Sequence, residues 1–109
     1  MWLDPEEMSE WAYHYCNNIE DRPGMRKFIT KSQWAYYYCK NVKDDPEVWK
    51  NIISSFDAYF YCKHIKNRPE VKKNITNSYW ANLYCLNIKD DPEIRKYIKV
   101  RRENVVRFL

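Results

Sequence analysis

Apolar positions along this chain carry two nested periods. Within residues 55–65, Ala58, Tyr61, Cys62 and Ile65 fall at i, i+3, i+4 and i+7, one face of an amphipathic helix. Just beyond, Pro69 precedes Val71 and Ile75, an i, i+4 pair that predicts a second, shorter helix of about eight residues. Both patterns return every 23 residues. Ala12, Ala35, Ala58 and Ala81 form one column, and Tyr15, Tyr38, Tyr61 and Tyr84 another. Cys16, Cys39, Cys62 and Cys85 keep the same step, as do Pro23, Pro46, Pro69 and Pro92 and Ile29, Ile52, Ile75 and Ile98. A fixed period between ~20 and ~50 residues is the signature of a repeat architecture.

Each unit therefore predicts two helices. Ser9, Ser32, Ser55 and Ser78 stand where an N-cap for the first is expected. Asp44-Asp45-Pro46-Glu47 and Asp90-Asp91-Pro92-Glu93 supply a capping carboxylate, a proline in the first turn and an acid behind it for the second. Helices below ~12–15 residues are marginal alone in water, so stability has to come from stacking. The expected fold class is all-α: one domain over residues 1–109, an α-solenoid of four units at about 9–31, 32–54, 55–77 and 78–100. Asp4-Pro5-Glu6-Glu7 is expected to extend the first helix backwards, with Trp2 and Leu3 covering the open core. Residues 101–109, with Val105, Val106, Phe108 and Leu109 apolar, read as a C-terminal cap.

Composition narrows the function. At 45% hydrophobic and 17% aromatic the chain is too apolar for a disordered tail. A single glycine argues against glycine-rich phosphate loops and against all-β folds. No apolar run approaches the ~20 residues of a membrane span, and no basic-then-apolar leader is evident, so a cytoplasmic protein without membrane contact is expected. Nineteen Lys and Arg against 15 Asp and Glu leave a mild net charge of +4. Lys, Asn, Ile and Tyr supply 41 residues (12, 10, 9 and 10), a bias of AT-rich coding.

The residues that could carry chemistry mostly have structural roles in this pattern. Equivalent cysteines on packed helices would lie ~8–10 Å apart, beyond the ~7 Å that a disulfide tolerates. They lack CxxC-type metal spacing, so they read as small buried residues. His14 and His64 have no nucleophile and carboxylate arrangement around them. His64 occupies the column of Asn18, Asn41 and Asn87, whose amides are placed to bond a turn or the neighbouring unit. No acid–base pair or activated nucleophile emerges, so no enzyme, cofactor or metal is expected. Lys27, Lys50, Lys73 and Lys96 run beside Glu47, Glu70 and Glu93, a mixed-charge face rather than a phosphate-binding stripe.

The positions that vary between units are the ones free to recognise a partner. With the core centred on the Ala–Tyr–Cys–Ile stripe, the outward stripe reads Glu10, His14 and Asn17 in unit one, and Gln33, Tyr37 and Lys40 in unit two. In units three and four it reads Phe56, Phe60 and Lys63, then Tyr79, Leu83 and Leu86. Five apolar side chains on an outward face predict an interface for a protein partner, with a homodimer contact or cover by the C-terminal segment as alternatives. Asp57 breaks the Trp11, Trp34 and Trp80 column. It either opens a notch beside Phe56 and Phe60 or marks a tryptophan site that is partly exposed. Trp49 is a similar singleton.

Asp91-Pro92-Glu93-Ile94-Arg95 followed by Ile98 resembles the leucine-rich variant repeat, which alternates two short helices in a superhelix. The first helix departs from it, with Trp, Tyr and Cys where that family has leucine and alanine. The Ala-Tyr-x-Tyr pattern of Ala12 to Tyr15, Ala35 to Tyr38 and Ala58 to Tyr61 resembles 23–25-residue tandem repeats of phage and large-virus proteins, where alanine stands in place of these cysteines. The resemblance spans residues 9–99 and implies a fold rather than an activity. The leading expectation is a non-enzymatic protein-binding module, in the form of a phage or mobile-element inhibitor of a host defence or regulatory protein. Its contact residues would be Tyr37, Phe56, Phe60, Lys63, Tyr79, Leu83 and Leu86. A nucleic-acid-binding helical repeat using the lysine columns is the alternative.

Overall fold

The computed structural model describes residues 3–99. Among them the chain is all-helical, with eight helices and no strand. Four long helices alternate with four single turns: α1 (Pro5–Asn18), α2 (Pro23–Arg26), α3 (Ser32–Asn41), α4 (Pro46–Trp49), α5 (Ser55–His64), α6 (Pro69–Lys72), α7 (Ser78–Asn87) and α8 (Pro92–Arg95). Each long helix packs on the short one that follows it. The long helices lie against one another in chain order, α1 on α3, α3 on α5 and α5 on α7. The molecule measures 56 × 27 × 19 Å. Trp2 and the expected cap at 101–109 lie outside the described residues.

The alanine column lets the long helices approach closely, and all four alanines are wholly buried. Ile29, Ile52 and Ile75 fill the space beneath, with Val48, Val71 and Ile94 from the short helices. The four cysteines are free, and Cys16, Cys39 and Cys62 are buried. Burial pushes the Cys39 thiol up to about 12 and the Cys62 thiol up to about 11, so neither is a nucleophile at neutral pH.

Two local readings of the sequence change. The serines are not N-caps: those positions are Asp4, Lys31, Ser54 and Asn77. In α3, α5 and α7 the repeated serine is instead the first helical residue, and its hydroxyl clamps the turn that enters the next unit. Ser9 Oγ accepts from the backbone N–H of Thr30 and Lys31 and donates to the Phe28 carbonyl. Ser55 repeats the device with Thr76, Asn77 and the Asn74 carbonyl. The second helices are also shorter than expected, at four residues each. Asp45 and Asp91 cap α4 and α8 through the N–H of Glu47 and Glu93. After one turn the backbone tightens to i→i−3 bonds, such as Ile52 N–H to the Trp49 carbonyl, and the helix stops.

The hydroxyls of the repeated column tyrosines Tyr38, Tyr61 and Tyr84 find their acceptors on the preceding turn. Tyr38 donates to both oxygens of Asp21 at 2.8 and 2.9 Å, Tyr61 to Asp44 at 2.6 Å and Tyr84 to Asn67 at 2.8 Å. Burial and then the adjacent carboxylate hold the Tyr38 and Tyr61 phenols well above their ordinary range. Asn51 and Asn74 similarly donate to the carbonyls of Ile29 and Ile52.

Ser9→Ala strands two backbone N–H groups beneath a wholly buried side chain and should cost about 2 kcal/mol. A lower urea midpoint with an unchanged m-value checks this. The cysteines set a pH dependence. The unfolded chain gives up these thiol protons near pH ~8.5, whereas the folded chain holds them to about 11 and about 12 at Cys62 and Cys39. Their contribution is therefore complete below pH ~8.5 and lost as pH rises through the folded values. Urea midpoints at pH 7 and pH 10 should fall in that order, and the difference should shrink in Cys39→Ala/Cys62→Ala.

Candidate interaction surface

The outer face of the long helices carries two aromatic clusters separated by a gap. Between α1 and α3, the Trp34 ring lies 5.7 Å from Tyr13 and 5.6 Å from His14. Asn41 Nδ2 closes the same junction by donating to Tyr13 Oη at 2.8 Å. Between α5 and α7 the arrangement recurs, with Trp80 5.4 Å from Tyr59 and Asn87 Nδ2 3.0 Å from Tyr59 Oη. Trp80 also meets Phe56 edge-on at 4.9 Å, Phe60 at 5.6 Å and Tyr79 at 4.9 Å.

The α3/α5 junction lacks both partners. Asp57 stands in the tryptophan column and His64 in the asparagine column. His64 is exposed and stacks on Phe60 at 5.7 Å, within 6° of parallel. Tyr36, the counterpart of Tyr13 and Tyr59, makes no side-chain hydrogen bond among the described residues. A groove of about 320 Å³ opens here, lined by Gln33, Tyr36, Tyr37, Phe56 and Asp57. Asp57 thus borders a groove beside Phe56 though not Phe60, and the tryptophan column is itself partly exposed at Trp11, Trp34 and Trp80.

The short-helix side marks the same junction. Arg26 reaches Asp45 at 3.0 Å and Lys72 reaches Asp91 at 2.7 Å, so ion pairs join α2 to α4 and α6 to α8. Lys72 holds the Asp91 carboxyl below its usual range. Between α4 and α6 the equivalent positions are Trp49 and Arg68, in cation–π contact at 5.0 Å. Arg68 also bonds Asp44 at 2.9 Å and Tyr61 Oη at 2.7 Å, while the buried Trp49 Nε1 finds no partner.

Of the expected contact residues, Phe56, Tyr79 and Leu86 are 52%, 63% and 71% exposed. Phe60, Leu83 and Tyr37 are half-buried. Lys63 is exposed, its ammonium 5.9 Å from the Tyr59 ring centre. Phe56 and Phe60 touch at 5.0 Å, and Trp80 joins them to Tyr79. Leu83 and Leu86 continue the face along α7 by helical spacing. Tyr37 belongs to the Trp34 cluster at 5.5 Å and meets the second half only as a groove wall opposite Phe56. Sequence reasoning missed Trp80 as the residue that ties this face together, because a repeating position reads as core. It also missed Tyr36, whose vacancy shows only once its two neighbours are compared across junctions.

Among the described residues no group of three His, Cys, Asp or Glu side chains is placed to hold a metal. No helix among them is long and apolar enough to cross a membrane. No family model, curated protein or solved structure matches the chain.

Trp80→Ala should cost about 3 kcal/mol, because four rings lose their shared contact. Trp11→Ala should cost under ~1 kcal/mol, since Trp11 is half-exposed and, among the described residues, its one ring contact is with Tyr15. Thermal melts of the two variants side by side check the difference.

Proposed function

We propose that the chain is an α-solenoid of four 23-residue hairpins that acts as a non-enzymatic protein-binding module. Its contact face is Phe56, Phe60 and Lys63 on α5 with Tyr79, Leu83 and Leu86 on α7. The helical stacking in chain order and the elongated shape support the architecture. One observation carries the function: Phe56, Tyr79 and Leu86 leave large apolar surface in water although α5 and α7 pack tightly beneath them. Contiguous apolar surface on a small chain marks an interaction site, and the ring contacts around Trp80 hold it in one shape. Preorganised aromatic anchors lose little entropy on binding. Tyr37 is the outlying member, reached by a partner that also spans the groove. The lysine columns favour nucleic acid less, because Glu47, Glu70 and Glu93 are exposed among them.

The structure directs the test away from Phe60, whose half-buried ring supports Trp80. Phe56→Asp and Leu86→Asp change exposed positions and should leave helical circular dichroism intact. Affinity purification with nuclease treatment should retain one stoichiometric protein on the wild type and lose it with both variants. Equal retention by both variants overturns the reading, and a complex that disappears with nuclease favours nucleic acid. Sedimentation of the purified chain alone should give a monomer. A dimer that Leu86→Asp dissociates would make a second copy the occupant.

A further inference from the structure

We propose that the groove between α3 and α5 is a guanidinium pocket that takes an arginine side chain from a protein partner. The source of the arginine rests on the protein-binding reading; the chemistry of the pocket does not.

The pocket exists because one column breaks. At the flanking junctions a tryptophan packs on Tyr13 or Tyr59. Asp57 is too small to do the same for Tyr36, and about 320 Å³ stays open. That is at the lower end of ligand pockets, ~300–1,000 Å³, and suits one side chain better than a cofactor.

Its polar groups keep hydrogen-bonding capacity that no protein atom uses. Asp57 is 6% exposed, and one oxygen accepts from Ser54 Oγ at 2.6 Å. Its other oxygen has no protein donor, no cation pairs with it among the described residues, and it is not sealed from solvent, so it meets the water of the groove. Tyr36 is 7% exposed, lines the same groove and also lacks a hydrogen bond. Both oxygens are open to the water of the groove, and an occupant rich in donors can replace that water on the carboxylate and the phenol together.

The other walls select its shape. Three aromatic residues, Tyr36, Tyr37 and Phe56, line the groove together with Gln33. A cation over such rings is attracted by their quadrupoles. Guanidinium is flat, weakly hydrated and carries five donors, so it can stack and bond Asp57 and Tyr36 together. An anion would meet Asp57 unfavourably, and an apolar side chain would strip the carboxylate of water without replacing it. Lys40 lies exposed with its ammonium 5.9 Å from the Tyr36 ring centre and makes no ion pair with Asp57. With a net charge of +4, the pocket acts as a local recognition element rather than a long-range attractor of basic partners.

The probe is N-acetyl-arginine amide, with N-acetyl-glutamine amide as control, titrated into the full chain and followed by aromatic NMR. The arginine derivative should shift the Tyr36, Tyr37 and Phe56 rings saturably, and less as salt rises. Asp57→Asn should weaken it roughly tenfold, as loss of a charge-assisted contact predicts. Asp57→Trp restores the column, fills the groove and should abolish the shifts with helical circular dichroism unchanged. No saturable shift in the wild type, equal response to the glutamine derivative, or undiminished shifts in Asp57→Trp would each overturn the proposal. A failed titration beside capture that still depends on Phe56 and Leu86 would remove the pocket and leave the protein-binding reading intact. A successful titration with capture indifferent to those residues would do the reverse.

Discussion

Tyr38, Tyr61 and Tyr84 are wholly buried, yet the acceptors for their hydroxyls lie 17 residues back, on the turn of the preceding hairpin. The serine hydroxyls work in the other direction, reaching backbone N–H groups 21 and 22 residues ahead. Each hairpin thus depends on its neighbour for polar satisfaction as well as for apolar cover. Pulling two apart would expose the alanine and isoleucine columns and leave several donors without partners, which is expensive in a dry interior. Four-residue helices such as α4 and α6 would not persist alone. The same mutual dependence gives the outer face its fixed geometry, since α5 and α7 cannot shift without breaking the bonds beneath Phe56 and Trp80.

Against that uniform background the middle junction differs on both sides. On the outer side, tryptophan and asparagine give way to Asp57 and His64. On the short-helix side, an ion pair gives way to Trp49 against Arg68. On the outer side the flanking junctions are bridged by tryptophan and asparagine, whereas the middle one keeps a groove, with a buried indole N–H without a partner on its short-helix side. The irregular features gather where the sequence repeat stops repeating: the groove lies next to Phe56, and Phe56 begins the exposed apolar face. A partner engaging both would touch α3, α5 and α7 together.

Much of the helical pattern was legible, because the 23-residue register and the i, i+3, i+4, i+7 stripe are local signals. Asp45 and Asp91 were legible as caps for the same reason. The serine role was not. A serine at an N-cap and one at the first helical position look alike in sequence, and the partners of Ser9 are adjacent only after the helices pack. The length of the short helices was hidden too: Pro46 announces a start, but no glycine or second proline announces the stop. The outward stripe was read from one helix at a time, so it could not show Phe60 and Leu83 half-covered by their neighbours. The special character of Tyr36 needed the comparison of three junctions.

The ion pairs carry an order that the 23-residue period conceals. The residue before each proline runs Arg22, Asp45, Arg68, Asp91, and the last residue of each short helix runs Arg26, Trp49, Lys72, Arg95. Neighbours along the row are therefore not interchangeable. A recombination event that excised the second hairpin would bring Arg26 against Arg68, two like charges where Asp45 had stood. Excising the second and third together would bring Arg26 against Asp91 and restore an opposite-charge pair. The charge before the proline thus returns after two hairpins rather than one.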